Sequence, residues 1–495
     1  MIRVRVLLCV AACLLFPGFA NAATKPADAA GSSASLRAGM DALARKDYAA
    51  ALAHFRPLAK AGNAEAQAQL ARMYFYGQGV RSDLGTSTAL YRMSAEQGNA
   101  DGEYGLGVGY DRGEGLPQNY SLAAQLYERS AKQGNAKAQY NLGVLTEYGH
   151  GVPQDCDAAV RLFRESAAQG YATAEYAMGK QYDEYYAGDT CSLPHDNVEA
   201  VKWYRLAAAQ PGTDGGKEAA NNLAVMYNYG EGTSRDADGA MALYRQAAKD
   251  GNVTAMVNLG KSYEFGDGVR KDYREALKWY RLAAKTGDDQ AENNLGMMYQ
   301  HGWGVKKSVE MAAQYFLAAA KHGNAYAQAN IGLMYLPDGG LSRDDKKSFA
   351  WCTRAADQGN PNGYNCLGMI YSFGYGVGKD SERAANFFAF AASRGNSSAM
   401  LNLAVCFLNG TGCRKDPVVA LALSQLAFAK HDSEESTARS YSESITAQLS
   451  AEQLGSATRL YADMRKTNVI QALDSYRALA KTKAAIEASR DGRHR

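Results

Sequence analysis

The chain has 495 residues, a formal net charge of +3 and 10% aromatic side chains. A balance this close to neutral argues against a nucleic-acid groove or a strongly basic membrane face. Loss of Arg3 and Arg5 on removal of an N-terminal segment would bring the charge to +1.

Two positive residues (Arg3, Arg5), a short apolar run Val6 to Phe16 and an Ala20-Asn-Ala22 site form the pattern of a secretory signal peptide cut after Ala22. The run is too short to span about 30 Å of hydrocarbon as an anchor. No cysteine follows the cut site, which argues against a lipoprotein anchor, and no later stretch is long and apolar enough for a membrane helix. Residues 23–33 have the composition of a flexible linker. Residues 34–63 form a degenerate hairpin that lacks the later Gly-x-Gly turn, suited to capping the N-terminal end of an array.

From residue 64 a pattern recurs with starts at 64, 100, 136, 172, 217, 253, 289, 325, 361 and 397, every step being 36 residues except one of 45. A fixed period of this size predicts stacked units rather than one globular core. In Asp289 to Tyr299, the residues Ala291, Leu295, Met298 and Tyr299 make one apolar stripe of a helix. Gly302 and Gly304 stop it. A second helix starts at an Asp272 cap, runs through Trp279-Tyr-Arg-Leu-Ala-Ala284 and ends near Gly287. One hairpin cannot bury its stripe alone, so neighbours must stack. After residue 432 the period is lost, and residues 433–449, 450–464 and 468–488 read as helices, with Ser450-Ala-Glu-Gln453 as a capping box. They are expected to seal the last repeat. The basic tail 489–495 reads as a frayed end.

The runs Leu295-Gly-Met-Met-Tyr299, Gly302-Trp-Gly-Val305 and Trp279 to Ala284 followed by Gly287 resemble Sel-one-like repeats, a subclass of the tetratricopeptide-type solenoids. The resemblance covers residues 64–432. It implies an all-α fold, a right-handed solenoid superhelix of about ten helix-turn-helix units with helical caps, acting as a scaffold for protein partners. It also implies bacterial envelope roles: organising machinery, exopolysaccharide export, signalling or host contact. Two rival roles stay open, a cell-wall ligand binder or β-lactam hydrolase of the cysteine-rich type, and a plain spacer.

Cys9 and Cys13 leave with the signal peptide, and the remaining six favour disulfides in an exported chain. The repeat frame brings together Cys156 with Cys191, Cys352 with Cys366, and Cys406 with Cys413. The alternative is six separate buried thiols. No Cys-x-x-Cys or paired-histidine spacing suggests a metal. No motif for metalloprotease, phosphate-loop or serine-hydrolase chemistry occurs, so neither a cofactor nor a catalytic residue is expected. Gly105-Leu-Gly-Val-Gly109 and Gly374-Tyr-Gly-Val-Gly378 mimic dinucleotide loops but are products of the repeat. His150 and His301 fall on repeat turns and read as exposed polar residues.

In a stacked array the first helices line an inner groove. One slot there carries Asn141, Asn222, Asn258, Asn294, Asn330 and Asn402, interrupted by Cys366. Each amide offers a donor and an acceptor to the backbone of an extended peptide. The alternative is that each one satisfies a neighbouring repeat. Around it lie Lys180, Val225, Lys261, Met297, Leu333 and Met369, turning apolar toward the C-terminus, a tendency that Leu336, Phe373 and Leu408 extend. Exposed apolar stretches of this kind mark protein interfaces. A second candidate is the fourth repeat, lengthened at Asp183–Asp196 and again at Gln210–Gly216; the alternative is tolerated length variation. The predicted partner is a protein or extended peptide, with no nucleic acid. The predicted location is periplasmic or secreted.

Overall fold

The computed structural model describes residues 26–186, 191, 193–430 and 434–478, so the signal segment, the basic tail and part of the Asp183–Asp196 turn lie outside the described residues. The described residues are helical, with no strand among them. The chain divides into two compact units, Met1–Gly216 and Lys217–Arg495. Within each unit the helices pair into antiparallel hairpins packed on their neighbours, an α-solenoid arrangement.

Helices Pro26–Ala44 and Tyr48–Lys60 precede the first repeat. The first of them begins inside the stretch that composition marked as a linker. Beyond the last repeat come Glu435–Thr446 and Ala451–Lys466, the latter opened by the Ser450/Gln453 capping box that the sequence predicted. Residues 469–478 are again helical.

Most repeats are built by the same local chemistry. In the repeat that starts at 289, Asp288 caps the first helix Asp289–His301 by accepting from Ala291 N. Gly302, at φ 76°, ends it by donating to Met298 O, a left-handed conformation that a side chain would penalise. Ser308 then caps the second helix, Val309–Lys321, and its own N–H donates to Tyr299 O to close the turn at 3.0 Å.

Packing inside most hairpins depends on a glycine and a ring. The eighth residue of most repeats is glycine, and the ring of the twenty-eighth residue lies against it: Phe163 on Gly143, Tyr280 on Gly260, Phe316 on Gly296, Phe388 on Gly368. A Cβ on any of these glycines would overlap the ring. The rings are almost wholly buried, and truncating such a side chain to alanine costs about 3–5 kcal/mol.

Candidate functional site

In the second unit, the asparagine slot is the sixth residue of each repeat. All its members are half-buried. Asn258 Nδ2 donates to Asn221 Oδ1 of the preceding repeat at 3.0 Å. Asn330 donates to Asn293 at 3.2 Å and Asn402 to Asn365 at 3.0 Å. Asn294 instead hydrogen-bonds the hydroxyl of Tyr280. Asn330 and Asn402 face Phe316 and Phe388, which have no hydroxyl, whereas Asn258 reaches an amide although Tyr244 stands at the ring position. Asn222 accepts from Asn221. In the first unit, Asn141 meets the Tyr127 hydroxyl in the same way as Asn294 meets Tyr280. These amides therefore tie repeats together, while each Asn side chain offers more hydrogen-bonding positions than one such bond uses.

Three residues further along each helix lie the variable positions. Lys180, Val225, Lys261, Met297, Leu333 and Met369 are all half-buried. Lys180 Nζ stands 4.4 Å from the Tyr186 ring centroid. Met297, Leu333 and Met369 pack against clusters formed between hairpins. The expected exposed apolar stretch is thus corrected: Leu336 is buried at 2% exposure and Leu408 leans on the C-terminal core, whereas Phe373 is exposed. Leu336 is buried because the repeat turn there begins early, its first helix ending at Met334.

Two of the three expected cysteine pairs are joined, Cys156 with Cys191 and Cys352 with Cys366. The first holds the lengthened turn of the fourth repeat, where Cys191 is buried and Tyr204 donates to Asp183 at 2.9 Å. The second explains the break in the asparagine series: Cys352 sits at the ring position and Cys366 at the slot that Asn294 uses to meet Tyr280. Cys406 and Cys413 are not joined, which corrects the third pair. They are electrostatic neighbours, yet the Cys406 sulfur is engaged by Thr411, and burial pushes the Cys413 thiol up to about 11.

Two features escaped the sequence. The ring hydroxyls of Tyr127, Tyr204 and Tyr280 donate to Asp111, Asp183 and Glu264, a carboxylate series at the twelfth position of the repeat, or its equivalent. Burial raises the Glu264 carboxyl above its ordinary value, with Tyr280, Lys271 and Lys261 opposing. Pairing the carboxylates with tyrosines 16 to 21 residues later would have revealed this series. The second feature is a set of exposed rings just before the helix-ending glycines: Tyr76, Tyr148, Tyr229, Phe265 and Phe373. Both turn histidines are exposed, but they also stack, His150 between Tyr120 and Tyr148 and His301 on Trp303 at 4.5 Å. Burial, then Lys307, holds the His301 imidazole below its usual range.

Among the described residues, no group of three His, Cys, Asp or Glu side chains is placed to hold a metal, and no helix is long and apolar enough to cross a membrane.

The Sel1 repeat model matches ten consecutive segments from 64–99 to 397–432. The chain belongs to the Sel1 repeat family. Proteins built from these repeats generally mediate protein–protein interactions. Among solved structures, the chain is similar to c5321, a protective antigen of uropathogenic Escherichia coli strains with an SLR fold. The identity is 30%, covering 86% of this chain and 97% of that one, with a TM-score of 0.40. A Sel1 repeat protein from Oxalobacter formigenes shares 28% identity over 66% of this Sel1 chain and 94% of its own, with a TM-score of 0.45. The immunity protein Pa5087 of Pseudomonas aeruginosa shares 20% identity over 45% of this chain and 81% of its own, with a TM-score of 0.32. No curated protein matches the chain.

Proposed function

We propose that this Sel1 repeat protein is an exported, non-enzymatic scaffold that captures a protein or extended peptide along the first-helix row of its second unit. The observation that carries this reading is the asparagine series, which recurs with the period of the repeat. Asn258, Asn330 and Asn402 each direct an N–H to the preceding repeat and remain half-buried. The rest of each carboxamide supplies hydrogen bonds at one per repeat to a main chain lying across the row. Beside them the residues change from Lys261 to Met297, Leu333 and Met369, so backbone recognition comes with side-chain selectivity. Export is supported by the signal-peptide pattern and by two disulfides, which persist in oxidising compartments. An envelope role fits both.

The test combines Asn258→Ala, Asn294→Ala and Lys261→Glu in one variant and recovers partners from cell envelopes. Loss of the partner with helical content unchanged supports the row. Undiminished recovery places the interface elsewhere.

A further inference from the structure

The first two repeats depart from the pattern at three places, Ala68 and Ala71 in the first and Gly105 in the second. Position eight holds Ala71 instead of glycine, which denies the ring of Tyr91 the close approach that Tyr127 and Phe163 make to Gly107 and Gly143. Tyr91 lies instead against Gly105 of the next repeat, where any Cβ would overlap its ring. Gly105 stands in the slot that most repeats fill with asparagine. The third exception is Ala68, at the position of Tyr104 and Tyr140, where a small side chain leaves space. Whereas Tyr127 and Phe163 are almost wholly buried, Tyr91 is only partly buried and lines a cavity of about 400 Å³ inside the first unit.

Four rings wall this cavity: Tyr76, Tyr91, Tyr104 and Tyr171. Burial keeps the hydroxyls of Tyr91 and Tyr104 well above the ordinary phenol range, with the neighbouring tyrosines adding to the effect. Asp101 lies among them, accepting from Asn135 Nδ2 at 2.9 Å and from Gln69 Nε2 at 3.3 Å. Gln69 is only 3% exposed, and its Oε1 is a buried acceptor with no hydrogen-bond partner. Leaving such an atom unpaired costs about 1–3 kcal/mol. Arg72 and Lys137 line the same cavity, and Glu65 neighbours Asp101. Two carboxylates and two cations therefore cancel.

Each property narrows the ligand. Flat ring faces take an apolar face of C–H groups. Asp, Asn, Gln and Arg offer the paired donors and acceptors that vicinal hydroxyls match. Cancelled charge gives neither an anion nor a cation an advantage, and the volume lies within the range of small-ligand pockets. We propose that this pocket binds a neutral saccharide, a pyranose ring lying on a tyrosine face with its hydroxyls meeting Asp101, which Gln69 Nε2 holds in place, and Arg72. The same chemistry arises in a free polysaccharide end and in a glycan carried by a protein. The site is separate from the second-unit row, so either can fail alone.

The test uses the full chain and saturation-transfer NMR with maltose, cellobiose and N,N′-diacetylchitobiose, alongside a neutral high-mannose glycopeptide. Acidic and basic tripeptides serve as charged alternatives. The expected result is transfer to ring protons of at least one neutral sugar. Tyr76→Ala and Gln69→Leu should each weaken binding about tenfold, or about 1.4 kcal/mol. Tyr229→Ala, the equivalent exposed ring of the second unit, should leave it unchanged, with circular dichroism confirming that all variants fold. Binding of the glycopeptide alone would assign the glycan to a glycoprotein, and binding of the free sugars would assign it to polysaccharide. No transfer to any sugar overturns the proposal. So does sugar binding that survives both pocket substitutions, or capture of a charged peptide by the same residues.

Discussion

The two units make the same inter-repeat contact with different chemistry. Residue twenty-eight of one repeat meets residue six of the next, fourteen positions later. In the first unit, Tyr127 meets Asn141 through its hydroxyl, and Tyr91 leans on Gly105 beside a cavity. In the second, Tyr280 meets Asn294, and Cys352 is bonded to Cys366. A further contrast lies in how hairpins close. Ser94, Ser130 and Ser166 of the first unit each donate at 2.7 Å to the carbonyl that opens their own repeat. The matching residues of the second unit are Ala247, Ala283 and Ala319, buried and purely apolar. The repeat thus fixes where side chains meet and leaves open what they do there. Uniform contacts hold the stack, and exceptions make sites.

The largest expected effects come from removing the covalent version of a contact. Loop-entropy arguments assign about 4 kcal/mol to a bridge with the 35-residue separation of Cys156–Cys191 and about 3 kcal/mol to the 14-residue Cys352–Cys366 bridge. Paired Cys→Ala variants, compared by urea unfolding, should show losses in that order. Equal stability of both variants and the parent would mean that neither bridge constrains the chain.

Next comes the glycine–ring contact. Gly296→Ala forces a methyl into the Phe316 ring and should cost about 1–3 kcal/mol. A neutral result by thermal melting would show that the ring has room to move. Tyr280→Phe should fall in the same range or below it, about 1–3 kcal/mol, because the 2.6 Å bond to buried Glu264 disappears. The corresponding change at Tyr127 should cost less, since its bond to Asp111 is longer, at 3.0 Å.

The smallest effect is one of pH. The folded chain holds the Glu264 carboxyl above 4.5, chiefly by burial, so it binds that proton more tightly than the unfolded chain does. The contribution of this group to stability therefore grows as pH falls toward 4.5 and is lost as pH rises through the folded value. Glu264→Gln should flatten stability against pH in that window. An unchanged slope would mean that Glu264 is not its source.

The stack was legible because its determinants are local. Asp and Asn caps, Gly-x-Gly turns and apolar stripes recur at fixed offsets, and each acts within a few residues. The Cys352–Cys366 bridge was legible because the frame aligns a second helix with the next first helix. The Cys406–Cys413 pair was not, because closeness in the frame says nothing of sulfur direction, and Thr411 takes up the Cys406 sulfur. By sequence, Leu336 groups with Phe373 and Leu408 in an exposed apolar stretch, but a turn that begins after Met334 carries it inward. The first-unit cavity went unread for a different reason. It arises from three small exceptions, Ala68, Ala71 and Gly105, each unremarkable by itself, which only the packed helices bring together.

The most direct test of the account places a photo-crosslinking residue at Lys261, Met297 and Met369 in turn, with second-helix positions Lys278 and Lys321 as controls, and irradiates intact cells. The account predicts one protein partner captured from the three row positions and not from the controls. Capture from Lys278 and Lys321 to the same extent, or from none of the row positions, would contradict it.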